Sequence, residues 1–210
     1  MIQIAKFTKM VDGDKEDYDF LEALEMQYAS AVGERLCKAL ADLDSSLSGY
    51  KVTRLEHSLQ SATRAYRDGA DIDWIVCTLL HDLGDVYAPF SHDQYAALIL
   101  APYVREQCRW VVEKHGIFQF KYYAEHTAAD PNARDKYIEH PWYDDAVYFC
   151  EMWDQNSFDP AYNTLPLAFF KPMLLQVFSR PANAMDILQP EIRVALRDEK
   201  VAEKRNALTC

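Results

Sequence analysis

The sequence has no excess of basic residues and no long apolar run, and each absence excludes a class of protein. Its formal net charge is −11 at pH 7. This charge argues against a nucleic-acid backbone or an anionic membrane surface as the main partner, because both bind to basic patches. No apolar stretch approaches the roughly 20 residues that a membrane-spanning helix needs. We therefore expect a small molecule as the partner, and neither nucleic acid nor a membrane.

The sequence also lacks a Cys-x-x-Cys motif and an N-terminal segment in which basic residues precede apolar ones. Its 5 cysteines are widely spaced along the chain. Closely spaced cysteine pairs are typical of zinc or redox sites, and a basic-then-apolar start is typical of secreted proteins. These absences predict a reduced, cytoplasmic protein, which we expect to be a monomer or a homodimer.

No internal repeat, low-complexity tract or clear strand pattern is visible. Instead, apolar residues recur at steps of three and four residues, which is typical of amphipathic helices. With 210 residues, half of them hydrophobic, the chain is long enough for one well-buried domain. We predict a single all-α domain over residues 1–210. It comprises an N-terminal packing helix at about 15–43, a core at about 50–180 and a polar C-terminal tail at about 182–210.

Local signals place several helix ends. A helix over about 51–68 should stop at Gly69, and Asp71 should cap the helix that follows. Ser91 and Gln94 have the spacing of a capping box, which puts His92 in the first turn of another helix. The apolar period after Pro102 predicts a helix that ends at His115. Residues 116–143 lack a clean period, and we predict a long functional loop or lid there.

Histidines and aspartates gather on the predicted inward faces and first turns of these helices. Imidazole and carboxylate ligands without thiolate suit iron, manganese or zinc. A single histidine on an apolar face is more often an ordinary core residue, but four of them on different helices beside a His-Asp pair favour a metal site. Six ligands are too many for one ion that keeps positions open for substrate, so we predict a dinuclear site. The candidate ligands are His57, His81, Asp82, His92, His115 and Asp154. His126 and His140, in the predicted loop, are interpreted as surface or supporting residues.

The ordered ligand set resembles the HD-domain superfamily of helical metalloenzymes. The phrases that carry the resemblance are Glu-His-Ser-Leu-Gln at residues 56–60, Leu-His-Asp-Leu-Gly at residues 80–84 and the Trp153-Asp154 pair. The resemblance covers roughly residues 50–159. It implies an HD-type helical bundle around a dinuclear metal site.

Within that superfamily the six-ligand pattern implies two chemistries. One branch consists of the mixed-valent diiron oxygenases that act on myo-inositol or on 2-amino-1-hydroxyethylphosphonate, and the phrase Glu-His-Ser-Leu-Gln is similar to the second of these. This branch implies that His57, His81 and Asp154 bind one iron, that His92 and His115 bind the other, and that Asp82 bridges the two. It also implies O2 as co-substrate, with manganese or zinc as substitute metals.

The other branch consists of phosphohydrolases that act on nucleotides or small phosphate esters. We favour the oxygenase, because phosphoryl transfer normally requires cationic residues and the sequence places no lysine or arginine near the site. A third hypothesis is a non-catalytic ligand-sensing module that uses the metal only for structure.

The residues expected around the substrate differ from those of the phosphonate oxygenases. The resemblance implies a histidine, a lysine and an arginine at three positions of the phosphonate oxygenase. This sequence has Asp85, Gln119 and Glu151 at those positions. We therefore predict a small hydroxylated substrate whose remainder is neutral or amine-bearing. A hydroxyphosphonate stays among the candidates, because Arg134, Lys114 or Lys121 can supply a replacement cation.

The remaining expectations concern residues that act on the substrate. Tyr50 is a candidate lid residue and, with Asp82 and Asp85, a candidate catalytic residue. Gln119, Arg134, Glu151 and Phe118 are candidate substrate-binding residues. Phe118 would belong to an aromatic box around an ammonium group; the alternative is simple packing. The members of this aromatic box are Phe118, Phe120, Tyr122 and Tyr123.

Overall fold

The computed structural model describes residues 4–209, and within that range the chain is all-helical, with 65% helix and no strand. This confirms the all-α prediction. Between the seventh and eighth α-helices lies a π-helical segment, Phe149–Asp154. The α-helices are α1 Lys15–Ser30, α2 Val32–Asp42, α3 Arg54–Arg67, α4 Ile72–Leu80, α5 His92–Leu100, α6 Glu106–Tyr123, α7 Tyr143–Tyr148, α8 Leu167–Phe178, α9 Met185–Leu188 and α10 Glu199–Thr209.

The predicted N-terminal helix is two helices, because the chain leaves helical geometry at Ala31. In α2, Leu36 and Leu40 are buried as expected. In α1, Leu24 and Tyr28 are exposed, so residues 4–209 leave the apolar face predicted for that helix uncovered at these positions. Periodicity identifies such a face but does not supply the element that packs against it.

The core is built where α3 packs against α4 and α5 against α6. The start of α4 follows its sequence signal, since the Asp71 side chain accepts a hydrogen bond from the backbone N–H of Trp74 at 3.1 Å. Gly69 turns the chain between α3 and α4 with φ +81°. Its missing Cβ leaves room for the backbone carbonyl of Asp198, so the C-terminal segment lies against this turn.

Two predicted helix boundaries are wrong. Helix α6 does not stop at His115 but continues through Gly116 to Tyr123, so the predicted loop loses its first eight residues. Gly116 lies inside α6. A Cβ at this position would lie 3.2 Å from the Asp93 carboxylate, which comes from α5. Ser91 does not cap α5 with its side chain; instead Asp93 accepts a hydrogen bond from the N–H of Gln94 at 2.8 Å.

The polar C-terminal tail docks on the core. Leu196 and Ala202 are buried, and α10 packs against α3. Within this tail, α10 spans Glu199–Thr209. Cys37, Cys77, Cys108 and Cys150 are buried and free, while Cys210 lies outside the described residues. Across residues 4–209, no helix has the length and apolar character needed to cross a membrane.

Candidate metal centre

Six side chains from five helical segments converge at the centre of the bundle. His57 comes from α3, and His81 and Asp82 follow the end of α4. His92 begins α5, His115 lies in the middle of α6, and Asp154 ends the π-helical segment. Each predicted ligand is therefore present at the cluster. All are buried except His92, whose side chain is 25% exposed.

One side of the cluster joins His57, His81 and Asp154. The Nε2 atoms of the two histidines lie 3.1 Å apart. Asp154 Oδ1 lies 3.3 Å from His57 Nε2 and 3.5 Å from His81 Nε2. Single ligand atoms of these three residues all fall within 4.8 Å of one another, so the three could hold a metal ion.

The other side joins His92 and His115 through Asp82. Asp82 Oδ1 lies 3.3 Å from His115 Nε2 and 3.5 Å from His92 Nε2. Its second oxygen, Oδ2, lies 3.2 Å from His57 Nε2 and 3.5 Å from His81 Nε2. The two oxygens of one carboxylate thus face two different groups of imidazoles.

The backbone orients three of the four imidazoles. The Nδ1 atoms lie at hydrogen-bond distance from carbonyl oxygens: 2.9 Å for His57 to Ser157, 2.7 Å for His81 to Thr78 and 2.6 Å for His115 to Val112. A carbonyl can only accept, so each Nδ1 donates and carries the proton in the neutral ring. The lone pair of each Nε2 then points into the cluster, which is the arrangement of a metal-ligating histidine.

The residues present fit metal cations. In their neutral form, His57 and His81 would bring two Nε2 lone pairs to within 3.1 Å, with no hydrogen atom between them. Among the residues that the structure describes, the buried Oδ2 atom of Asp154 has no hydrogen-bond partner. Orphaned acceptors of this kind are costly unless a cation or a proton satisfies them. Nitrogen and carboxylate donors without sulfur suit iron, manganese or zinc.

Without a metal, protons serve the same acceptors. Burial lowers the pKa of His57, but its contacts with Asp154 and Asp82 outweigh burial and raise the pKa to about 9. Burial likewise lowers the pKa of His115, while Asp82 and Asp154 raise it to about 9. Burial raises the pKa of Asp82, but the charges of His81 and Arg54 hold that pKa well below its ordinary value. The cluster therefore favours bound positive charge.

Arg54 is a site residue that sequence reasoning missed. Its Nη2 donates to Asp82 Oδ2 at 3.0 Å, and it also pairs with Asp85. The expectation that no cation lies near the site is therefore wrong. A spacing of three residues places Arg54 on the same helix face as His57, and that spacing could have identified it.

A cavity of about 520 Å³ opens onto the cluster. Tyr50 and Gln119, both predicted to act on substrate, line it. Tyr50 is 55% exposed, and its ring lies 5.2 Å from that of Phe158, which stacks on the His57 imidazole at 4.4 Å. The residues of this cavity beyond the ligands are Tyr50, Arg54, Gly116, Gln119, Tyr122, Tyr123, Gln155 and Phe158.

Three predicted substrate residues do not line this cavity. Phe118 is fully buried, and its ring packs against Trp110 and Tyr143. Glu151 is exposed. Arg134 lies near Tyr122, where it opposes the effect of burial, which raises the pKa of that tyrosine to about 12.

The aromatic box is only partly assembled. Tyr122 and Tyr123 line the cavity, whereas Phe118 packs as a core residue and Phe120 contacts Tyr123. The two other histidines are apart from the centre, as expected. His126 is exposed, and His140 stacks on Trp110 at 3.8 Å.

Comparison with models of protein families and with curated proteins finds no match for this chain. The fold and the site define an all-helical protein with a buried His/Asp cluster that could bind metal. Its resemblance to the HD-domain superfamily stays a prediction from the sequence motifs.

Proposed function

We propose that this protein is a dinuclear HD-domain metalloenzyme, namely a diiron oxygenase that cleaves a small hydroxylated molecule with O2. The observation that carries the proposal is the orientation of Asp82. Its Oδ2 faces His57 and His81, and its Oδ1 faces His92 and His115. A carboxylate whose two oxygens serve separate ligand groups is suited to bridging two metals.

Bound iron ions would supply a binding site for the substrate hydroxyl and the capacity to activate O2. His57, His81 and Asp154 would hold one ion, and His92 and His115 the other, with manganese or zinc as possible substitutes. The protein's own contribution is orientation, since the backbone carbonyls of Ser157, Thr78 and Val112 fix three imidazole rings. The Phe158 ring stacks on one face of the His57 imidazole, and the Tyr50 ring packs in turn on Phe158.

The cavity supports a substrate with a neutral or amine-bearing remainder. The charge of Arg54 is already balanced by Asp82 and Asp85. The other side chains that line the cavity beyond the ligands are tyrosines, phenylalanine and the uncharged amides Gln119 and Gln155. Tyrosine faces attract cations, and their hydroxyls hydrogen-bond to polar groups. A hydroxyphosphonate would have to compete with two carboxylates for Arg54.

A phosphohydrolase is the second candidate, and Arg54 is the observation that favours it. A guanidinium 3.0 Å from the proposed bridging carboxylate could interact with a phosphate held by the two ions, as cationic residues commonly do in phosphoryl transfer. In this reaction the metals would lower the pKa of a water molecule. A third candidate, a non-catalytic ligand-sensing module, would use the metal only for structure.

Reconstitution with iron tests these alternatives. The metal-free protein is loaded anaerobically with Fe²⁺, and the iron-to-protein ratio is measured. Partial oxidation should then produce the electron paramagnetic resonance spectrum of a mixed-valent diiron centre, and that spectrum should change when a small hydroxylated substrate is added. Oxygen uptake with a panel of polyols, amino alcohols and hydroxyphosphonates should identify the substrate class.

Two controls separate the candidates. His126→Ala removes an exposed histidine away from the centre and should leave iron binding and oxygen uptake unchanged. Phosphate release from nucleotides without oxygen uptake would establish the hydrolase instead. Tight binding of two metals with neither activity would favour the sensing module. A protein that retained one iron ion or none would contradict the dinuclear site itself.

A further inference from the structure

The carboxylate of Asp85 faces two protein groups at the metal centre. Its Oδ1 lies 3.6 Å from Nδ1 of His92. Its Oδ2 accepts hydrogen bonds from the Arg54 guanidinium. The side chain is 11% exposed and does not line the cavity. Its interactions are therefore directed at the protein rather than at the space that a substrate would occupy.

His92 is the imidazole that needs such a partner. The Nδ1 atoms of the other three ligand histidines each face a backbone carbonyl. Within residues 4–209, Asp85 is the group that faces Nδ1 of His92. Metal-ligating histidines usually donate their second N–H to a carboxylate or a carbonyl, which fixes the ring and strengthens it as a ligand. Asp85 has the position for this role.

The same carboxylate also supports Asp82, through Arg54. Nε and Nη2 of the guanidinium donate to Asp85 Oδ2, and Nη2 also donates to Asp82 Oδ2 at 3.0 Å. Arginine can hold two carboxylates because its donors form a rigid planar fork. Asp85 thus faces His92 directly and contacts the proposed bridging carboxylate through Arg54.

Gly84 makes this arrangement possible. A Cβ at this position would lie 2.5 Å from both Cα and the carbonyl oxygen of His92. The turn that carries Asp82 and Asp85 therefore meets the start of α5 in direct backbone contact. This contact brings His92 within reach of both aspartates.

We propose that Asp85 is a positioning residue for the second metal, the one assigned to His92 and His115. Its Oδ1 faces Nδ1 of His92, whereas Nε2 of the ring faces Asp82. Asp82, Asp85 and His92 also bring single ligand atoms within 4.8 Å of one another. The Asp85 carboxylate, however, is paired with Arg54 and faces the ring nitrogen opposite the proposed metal position, which favours a supporting role over that of a ligand. The inference rests on the proposed dinuclear site and replaces the earlier expectation that Asp85 is catalytic.

Titration of the metal-free protein with Mn²⁺ tests the proposal without requiring activity. Free Mn²⁺ is measured by electron paramagnetic resonance, which gives the dissociation constant of each bound ion. Wild type should bind two ions. Asp85→Asn should bind the second ion 10- to 100-fold more weakly, the range found when such supporting residues are removed. The first ion should be weakened much less, because Asp85 reaches it only through Arg54 and Asp82.

Two further variants bracket the result. Asp93→Asn is the matched control, because it changes the neighbouring carboxylate, which accepts a hydrogen bond from Gln94 N–H; both affinities should be retained. His115→Ala removes a proposed ligand and should abolish binding of the second ion. If Asp85→Asn loses the wild-type helical circular dichroism, Asp85→Glu replaces it, since the longer side chain keeps the charge but moves the oxygens.

Three outcomes would overturn the role of Asp85 alone: unchanged binding of both ions, equal weakening of both, or a loss as complete as that in His115→Ala. The last of these would make Asp85 a ligand. Fewer than two Mn²⁺ ions bound to wild type would instead overturn the dinuclear site, and the positioning role with it.

Discussion

Asp82 has contacts with more groups than a ligand of a single metal would need. Its Oδ2 faces His57, His81 and Arg54, while its Oδ1 faces His92 and His115. Within the described part of the chain, Asp154 Oδ1 lies near His57 and His81, and its Oδ2 has no hydrogen-bond partner. The two carboxylates should therefore respond differently when they are replaced.

The comparison of Asp82→Asn with Asp154→Asn tests this difference. Asp82→Asn replaces one shared oxygen with an N–H donor, so we expect binding of both metals to weaken. Asp154→Asn should weaken only the metal held by His57 and His81, and at least one bound ion should remain. Metal-to-protein ratios after gel filtration measure both effects. Equal ratios in the two variants would contradict a bridging role for Asp82.

Gly84→Ala tests the close contact between the turn and α5. The added Cβ would meet the His92 backbone at 2.5 Å, and the backbone cannot move aside as a side-chain end can. We expect a loss of roughly 1–3 kcal/mol in the free energy of unfolding, which is typical of overpacking. Chemical denaturation of the metal-free protein measures this loss.

Gly116→Ala is the matched control for Gly84→Ala. Its Cβ would meet only the end of the Asp93 side chain, at 3.2 Å, and alanine inside a helix is favoured over glycine by about 1 kcal/mol. We expect this variant to be at least as stable as wild type. A Gly84→Ala protein of equal stability would mean that the turn and α5 can separate at little cost.

The π-helical segment Phe149–Asp154 is the element that presents Asp154 to the cluster. Isolated π-helical turns are rare and occur frequently at functional sites. Asp68, at the end of α3, holds this segment: its Oδ2 accepts hydrogen bonds from Tyr148 Oη and from Trp153 Nε1, both at 2.8 Å. Trp153 precedes Asp154 directly, so the end of α3 helps to set the position of a proposed ligand.

Asp68→Ala should therefore affect both stability and metal binding. It leaves the fully buried Trp153 with an unpaired indole N–H, at a cost of about 1–3 kcal/mol, and it frees the segment that carries Asp154. We expect lower thermal stability and weaker binding of one metal. Differential scanning calorimetry and Mn²⁺ titration measure these effects. Asp68→Asn keeps an accepting oxygen and should retain most of both properties; equal damage in the two variants would contradict the hydrogen-bonding role.

At the scale of the whole molecule, the cluster links stability to pH. His57 and His115 have pKa values raised to about 9 in the folded, metal-free protein, against 6.5 for the free side chain. The contribution of these protonated rings to stability is complete below about pH 6.5 and is lost as the pH rises through about 9. Metal ions compete with the same protons, so metal binding strengthens over this range.

We expect the metal-free protein to lose stability between about pH 6.5 and pH 9. The loss should exceed about 1.4 kcal/mol, the value of a one-unit pKa shift. Urea denaturation at several pH values, with and without Mn²⁺, measures the effect. The metal-loaded protein should show a smaller loss, because metal replaces the protons. Equal pH profiles with and without Mn²⁺ would contradict a metal site at these histidines.

Several features could be predicted because they depend on neighbours in the chain. The Asp71 cap and the turn at Gly69 follow from backbone geometry within a few residues. The helical period likewise placed His57 on a buried face. The spacing of Ser91 and Gln94 placed His92 in a first turn, although the Ser91 side chain does not cap that helix. The continuation of α6 past Gly116 was missed, because glycine often marks a helix end and the packing of α6 against α5 is not visible in the local sequence. The ion pair between Arg54 and Asp85 was missed for the same reason.

By itself, the sequence determined the all-helical architecture and the chemical types of the six proposed ligands, because helix propensity and side-chain chemistry are local properties. Only the tertiary structure decided which ligand atoms face one another, since the contacts that fix them span large separations, such as the 100 residues between His57 and Ser157. It also decided that both oxygens of Asp82 are engaged and that Asp85 faces His92 and Arg54. These arrangements depend on how α3, α4, α5 and α6 pack together, and no short stretch of sequence specifies that packing.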